Sequence, residues 1–333
     1  HDGRNVREHA TALAANTDEV KQELAAAFGD LQFGVFRPNG AETIVHRVRA
    51  FARRARPGQV IVTLDLRNAF NCPHRQDMWE AVVKRCPHLQ GLFDLEYRNP
   101  AKLFVVGTDD VIDSTCGARQ GTASGSIFFC LVFQTVLEAT VRVCGVEGLA
   151  YMDDVTLLCD SLAVARQAVD VFCAEAAALG LELNLDKSEL FPRSVPSRDE
   201  PAFLPIVLDG IKVLGASIAF DDDTERYHLL SRMRDRHGTF FRRLPMVKGA
   251  ACTALLSKSA VPKLGYAMRC HSPFVTAPTA ESFDSRIEGV WRETAQIVPS
   301  ENTRICAHLP VRYGGCGFTR MKWIAEHAYD ASR

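Results

Sequence analysis

An α+β fold, a sheet packed by helices, follows from three features of the 333-residue chain. The β-branched run Gln59-Val-Ile-Val-Thr-Leu-Asp-Leu lies between a Pro-Gly turn and a polar stretch, the pattern of a strand buried on both faces. Ile127 to Val143 is almost wholly apolar and too long for a strand, so it reads as a buried helix. Gly148-Leu-Ala-Tyr-Met-Asp-Asp-Val-Thr-Leu-Leu sets Asp153 and Asp154 side by side at a hairpin tip between apolar strands. Adjacent like charges cost free energy there unless a cation or a solvated turn compensates them.

The elements follow in order. Residues 5 to 28 are rich in Ala, Glu and Lys and read as a helix ending near Gly29. Ala41 to Arg56 reads as a second, closed by Pro57-Gly58 and carrying Arg47, Arg49, Arg53, Arg54 and Arg56. The buried strand then ends at Asp65 and Leu66, which places a carboxylate at its C-terminal end. A helix from His74 to Arg85, a strand at Leu103 to Val106 and a turn at Gly107 to Asp110 come next. A loop of small and polar residues, Gly117 to Ser126, leads into the apolar helix. Beyond the Asp pair, Leu162, Ala165, Val169, Phe172, Ala176 and Leu179 recur at steps of three and four, with Ser161 as N-cap and Gly180 as C′.

Leu181 to Leu185 alternates like a strand, with Lys187 to Phe191 as a short partner. Residues 192 to 201 hold three prolines and read as an exposed loop. Ile206 to Gly215 reads as a hairpin with Asp209-Gly210 at its tip, because that dipeptide accepts positive φ. Strand signals fade from Asp223 onward. Three regions follow: residues 1 to 58, helical; 59 to 222, carrying the sheet; and 223 to 333, helical. In the last, Leu230, Met233, His237, Phe240 and Leu244 mark an apolar face, and Arg232, Arg236 and Arg243 share another. Such a basic flank serves either as a solvated surface or as a track for a phosphate backbone.

Composition narrows the function. The net charge of −1 carries no global basic signature, so charge for a nucleic-acid partner must be local. Eleven cysteines are scattered without a Cys-x-x-Cys pair, which favours reduced thiols over a disulfide frame or a zinc site. No apolar run approaches a membrane span and no signal peptide is evident, so no membrane is expected and the location is intracellular, nucleus or cytoplasm. The chain starts without Met and reads as a fragment or processed piece.

If the strands bearing Asp65 and the Asp153-Asp154 pair are neighbours, their carboxylates converge at a sheet edge. They can then hold two Mg²⁺ ions about 3.5 to 4 Å apart, the arrangement that serves phosphoryl transfer. The ordered segments Leu64-Asp65-Leu66-Arg67-Asn68-Ala69-Phe70, Arg119-Gln120-Gly121, Tyr151-Met152-Asp153-Asp154, Gly180-Leu-Glu-Leu-Asn-Leu-Asp-Lys187 and Val213-Leu214-Gly215 resemble motifs A to E of reverse transcriptases. Gln32-Phe-Gly-Val with Gly40-Ala-Glu and His46, Leu255 to Tyr266, and Leu309 to Phe318 are similar to segments of non-LTR, LINE-like retrotransposon polymerases.

The resemblance implies a right-hand polymerase fold: a palm sheet, partial fingers and a helical thumb-like C-terminal region. It implies a nucleotidyltransferase, an RNA-directed DNA polymerase using Mg²⁺ or Mn²⁺, dNTPs, an RNA template and a DNA primer or RNA–DNA hybrid. Asp65, Asp153 and Asp154 would be the metal-binding catalytic triad, with the Leu66 carbonyl as a further metal contact. Phe70 would sit beneath the sugar and exclude a 2′-hydroxyl, and Arg119, Gln120 and Gly121 would line the nucleotide pocket. Tyr151 and Met152 would pack beside the primer terminus, and Lys187 would donate a proton to the leaving pyrophosphate. Leu214 and Gly215 would grip the primer, and a helix from Arg226 to Leu244 with Arg232, Arg236 and Arg243 would line the duplex.

Three departures from the family pattern stand out. Gln120-Gly121 is followed by Thr-Ala-Ser-Gly-Ser rather than a Pro-Leu-Ser-Pro-like run, which should loosen that loop. The Arg-Pro segment that precedes Gln-Phe-Gly in the family has no match, so the arginines at 47 to 56 are the substitute candidates for holding the triphosphate. No endonuclease domain or Cys-His knuckle is visible. The alternative function is a catalytically inactive, retroelement-derived fragment that binds nucleic acid or serves as a structural remnant. An RNA-dependent RNA polymerase is disfavoured by Phe70 and by Tyr-Met before the Asp pair.

Overall fold

Residues 16–196, 202–247, 249–296 and 298–333 are described in the computed structural model. They fall into two compact units. The first comprises the described residues up to Ile44 together with Ala55–Leu208, and the second comprises Val45–Arg54 and Asp209–Arg333.

The first unit is built round β1 (Val60–Leu64), whose Val-Ile-Val-Thr-Leu sequence is buried along nearly its whole length. It lies inside a four-stranded antiparallel sheet of order β4 (Glu147–Tyr151), β5 (Asp154–Cys159), β1, β6 (Glu189–Pro192). Three helices pack together with this sheet: α3 (Arg75–Arg85), α5 (Ala123–Cys144) and α6 (Leu162–Ala178). Phe133 of α5 meets Phe172 of α6 edge to face at 6.0 Å, and Arg85 of α3 holds the Glu138 carboxylate of α5 with two bonds of 2.7 Å. Among the described residues α5 alone is long and apolar enough to cross a membrane, which corrects the expectation that no run has that length. Most of α5 is buried in the protein core, so the sheet and helices cover its apolar surface.

Caps explain several boundaries. Ser161 accepts a bond from the Val164 N–H at the start of α6, as the sequence predicts. Thr122 does the same for Gly125 at the start of α5, so the Thr-Ala-Ser-Gly-Ser run is not a loosened loop but the first turn of that helix. Helix α1 (Asp18–Phe28) is the described part of the first expected helix, whose residues 5 to 15 lie outside the described residues. Helix α2 (Gly40–Arg54) matches the second and is shared between the two units.

Other expectations change. The strand near Leu103 is β2 (Ala101–Phe104), paired with β3 (Val111–Ser114), and helix α4 (Gln90–Tyr97) precedes it unannounced. Leu181 to Leu185 is not a strand. Only Leu183 bridges, to Leu66, while Leu181 and Leu183 bury their side chains in the core, so the alternation records burial without a ladder. The partner of β6 is β1, not that segment. Of the loop at 192 to 201, residues 197 to 201 lie outside the described residues.

The second unit holds a hairpin, β7 (Ile211–Val213) and β8 (Ala216–Ile218), and the helices α7 (Asp222–Arg243), α8 (Ala250–Leu255), α9 (Gly265–Cys270), α10 (Pro273–Ala295), α11 (Glu301–His308) and α12 (Met321–Asp330). The hairpin tip is Leu214-Gly215, with φ of 47° and 84°, rather than Asp209-Gly210. Ile206, expected in the hairpin, instead bridges to Leu190 in the first unit. The buried face of α7 is Leu229, Met233, His237 and Phe241, one residue removed at two places from the expected stripe.

Candidate active site

The antiparallel register of β1 and β5 sets Leu64 opposite Val155. One step further Asp65 comes level with Asp154, and cross-strand neighbours on adjacent strands about 4.8 Å apart share a face. Met152 and Asp153 form the two-residue turn that joins β4 to β5, with Tyr151 and Asp154 as its flanking pair. The structure thus brings Asp65, Asp153 and Asp154 to one edge of the sheet. Asp65 and Asp153 are half-buried, Asp154 is exposed and Leu66 is buried.

Burial pushes the Asp153 carboxyl above the ordinary carboxylate range. A backbone N–H opposes this, and the neighbouring Asp65 charge adds to it. Neither Asp65 nor Asp153 forms an ion pair among the described residues. Asp65 is instead held in place. Its N–H donates to Ser188 Oγ at 3.1 Å, its carbonyl accepts from the Asn184 N–H at 2.7 Å, and its Oδ2 accepts from Asn184 Nδ2 at 3.1 Å. An all-oxygen donor set with convergent negative charge fits a hard divalent cation. The three carboxylates do not close round a point by themselves, since no group of three His, Cys, Asp or Glu side chains among the described residues is gathered for a metal.

Phe70 lies in a tight turn directly after the strand, stacked on Phe129 of α5 at 4.4 Å, and half-buried. A cavity of about 920 Å³ opens beside the Asp turn, walled by Val35, Phe36, Arg75, Arg119, Gln120 and Met152 among others. Gly121, at φ 82°, also lines it. Gly117 fixes this wall: at φ 73° it lies so near the Asn71 backbone that a Cβ would come within 2.5 Å of it. The Ala118 N–H donates to the Phe70 carbonyl at 2.6 Å, joining the Arg119-Gln120-Gly121 segment to the Phe70 turn.

The basic residues of the wall have structural partners. Arg119 donates to the Glu96 carbonyl at 2.7 Å and lies over the Tyr97 ring, whose hydroxyl accepts from the Arg119 N–H at 2.9 Å. Arg75, which the sequence reading passed over, donates to the Ser114 and Cys116 carbonyls. Lys187 is exposed in the turn after Asn184, two residues ahead of β6 rather than at a strand start.

Leu214, Gly215, Arg232, Arg236 and Arg243 all belong to the second unit. Arg236 and Arg243 are exposed, but Arg232 is not a free phosphate ligand: it donates to Ser217 Oγ at 2.9 Å and to the Gly215 carbonyl at 3.3 Å, bracing the hairpin tip. The arginines at 47 to 56 also lose members as triphosphate candidates. Arg49 and Arg53 close on the Glu225 carboxylate at 2.9 Å each, within the second unit.

Asn184 and Ser188 were not singled out by sequence, nor was the side chain of Gln32, which is fully buried and donates to the Met152 carbonyl. The available signal was a polar residue set among inward-facing apolar ones, which does not reveal its partner.

A sheet edge with these carboxylates, a turn-borne aromatic and a glycine-lined cavity are the features expected of a nucleotidyl-transfer palm. Residues 9–218 match the family model described as reverse transcriptase (RNA-dependent DNA polymerase), and the chain belongs to that family. Over 316 residues it is 26% identical to the retrotransposable element SLACS 132 kDa protein of Trypanosoma brucei gambiense, covering 92% of this chain and 26% of that protein. This relative bears out the resemblance to non-LTR retrotransposon polymerases. Among solved structures, apo telomerase from Candida tropicalis superposes with a TM-score of 0.53 at 11% identity, covering 93% of this chain and 54% of that one, which supports the right-hand polymerase fold. Telomerase from Candida albicans in complex with a TWJ fragment of telomeric RNA gives 0.48 at 10% identity, over 94% and 52%. The chain spans about a quarter of the length of the retrotransposon relative.

Proposed function

We propose that this chain is the polymerase core of a non-LTR retrotransposon reverse transcriptase, which extends a DNA primer on an RNA template. The observation that carries the reading is the β1–β5 register, which sets Asp65 level with Asp154 and beside Asp153. Asp65, Asp153 and Asp154, with the Leu66 carbonyl, would hold two Mg²⁺ ions, or Mn²⁺ in their place. When bound, such ions lower the pKa of the attacking 3′-hydroxyl and neutralise charge on the leaving pyrophosphate.

The remaining roles belong to the chain's own groups. Ser188 and Asn184 orient Asp65, so its carboxylate meets the ligand without rearranging. Phe70, backed by Phe129, presents a rigid ring to the sugar and discriminates against a 2′-hydroxyl by overlap. Gln120 and Gly121 on the cavity wall bind the incoming dNTP, and Met152, on the same wall, borders the primer terminus together with Tyr151 at the end of β4. Exposed Lys187 supplies the proton for pyrophosphate. In the second unit the Leu214-Gly215 tip meets the primer, and Arg236 and Arg243 follow the phosphates.

Primer extension on an RNA template with dNTPs and Mg²⁺ tests the reading. Wild-type protein should extend the primer, and Asp153→Ala with Asp154→Ala should reduce extension by about 100-fold or more. No extension by the wild type would favour an inactive remnant, and equal extension by the double variant would overturn the assignment of catalysis to Asp153 and Asp154.

A further inference from the structure

The turn that carries Asp153 is strained. Met152 holds φ at 55°, a region that non-glycine residues seldom occupy, and a strained position persists only where its surroundings over-determine it. Those surroundings come from a segment 120 positions earlier in the chain. Leu31 to Phe33 runs along β4: the Ala150 N–H donates to the Leu31 carbonyl at 2.8 Å and the Phe33 N–H to the Ala150 carbonyl at 2.7 Å. This brings Gln32, fully buried, to the end of β4. Its amide takes both backbone groups of the strained residue. Nε2 donates to the Met152 carbonyl at 3.1 Å, and Oε1 accepts from the Met152 N–H at 2.7 Å. Oε1 also accepts from the Gly34 N–H at 2.9 Å, so two N–H donors and one carbonyl acceptor fix which way the amide points.

Gly34 completes the arrangement. A Cβ there would stand 2.5 Å from the Met152 nitrogen and 2.7 Å from its Cγ, so only glycine lets this backbone lie against the turn. We propose that Gln32 and Gly34 form a clasp that holds the Met152-Asp153 turn in its strained conformation and thereby positions Asp153 and Asp154 for their ligand. Gln32 is a positioning residue: it touches the backbone of Met152 and acts through it on the adjacent carboxylates. The inference rests on the polymerase reading only for its kinetic consequence, since the clasp itself is a property of the backbone.

Four proteins test it: wild type, Gln32→Leu, Gly34→Ala, and Gln32→Leu combined with Met152→Gly. Gln32→Leu keeps much of the side-chain volume and removes all three bonds. Gly34→Ala keeps every hydrogen-bonding group and displaces the turn sterically. In each single variant Mn²⁺ binding, followed by electron paramagnetic resonance without nucleic acid, should weaken about 10-fold. Hydrogen exchange at the Met152 amide should accelerate, while the melting curve stays cooperative. Primer extension should lose about 100-fold in kcat with KM for dNTP little changed. Glycine at 152 reaches positive φ without help, so the combined variant should recover about 10-fold of the kcat lost by Gln32→Leu.

Met152 exchange unchanged in both single variants would overturn the clasp. So would an equal kcat loss with and without Met152→Gly. If wild-type protein extends no primer, the polymerase reading fails, and the exchange and Mn²⁺ measurements still decide the clasp.

Discussion

Asp153 in the first unit and Glu225 in the second are both carboxylates withdrawn from water, and their neighbours are of opposite sign. Burial pushes Glu225 up, and the guanidiniums of Arg49 and Arg53 oppose that; Arg53 also reaches Asp222 at 2.5 Å, so two cations meet two anions. Burial likewise pushes Asp153 up, but its charged neighbour is Asp65, which adds to the cost. Charge that serves the fold is neutralised by the chain's own groups. The Asp153 charge has no such partner among the described residues, the pattern expected where an external ligand is to supply the compensating charge.

Three measurements probe that contrast. The largest effect belongs to Glu225→Ala, which strands Arg49 in a buried site and should cost about 3–5 kcal/mol in urea unfolding. Asp153→Asn, measured in the same way without divalent ions, should unfold no earlier than wild type, because it removes a like-charge neighbour of Asp65. A destabilised Asp153→Asn would mean the carboxylate is structurally paired.

A smaller effect concerns pH. His271 of the second unit is wholly buried: the Ser217 N–H donates to its Nε2 at 3.0 Å, and its Nδ1 lies 2.9 Å from the Ala267 carbonyl. Desolvation, with the charge of Arg49, pushes its pKa down to about 3. Between about pH 6.5 and that value the unfolded chain takes up a proton that the folded one refuses. Stability contributed by this neutral imidazole is therefore present at neutral pH and lost on acidification, by about 1.4 kcal/mol per pH unit. His271→Gln should flatten the slope. His237, pushed down to about 4, keeps its own share in both proteins. Equal slopes would show that the buried imidazole carries a proton.

The smallest effect separates two arginines on one helix. Arg232→Leu should lower stability by about 1–3 kcal/mol through the loss of its bonds to Ser217 and Gly215, leaving the salt dependence of nucleic-acid binding unchanged. Arg236→Ala should leave melting unchanged and reduce the salt slope by about 1. The reverse pattern would return Arg232 to the phosphate track.

Strands, helices and carboxylates with local signatures were legible in sequence. The burial of β1, the apolar character of α5, the cap at Ser161 and a tight turn beside the Asp153-Asp154 pair each depend on residues within a few positions. What stayed hidden depends on partners far away or on competition between local signals. Asp209-Gly210 has better turn chemistry than Leu214-Gly215, yet the tip falls at Leu214, where Arg232 holds the following carbonyl. Leu181 to Leu185 alternates because Leu181 and Leu183 fill the core, while Asn184 turns its backbone and amide to Asp65. Gln32 carries no local sign of its bond to a turn 120 positions on.

The place of β1 in the sheet also bears on how the protein is made. It is an inner strand, and both its neighbours come later: Val60 pairs with Cys159 and with Pro192, 99 and 132 positions downstream. On a ribosome the strand emerges with its apolar residues and its hydrogen-bonding groups unpaired, and it stays so until most of the first unit has been synthesised. Folding is thereby made non-local and slow. Truncations that end before β5 should yield an aggregating chain rather than a smaller folded one.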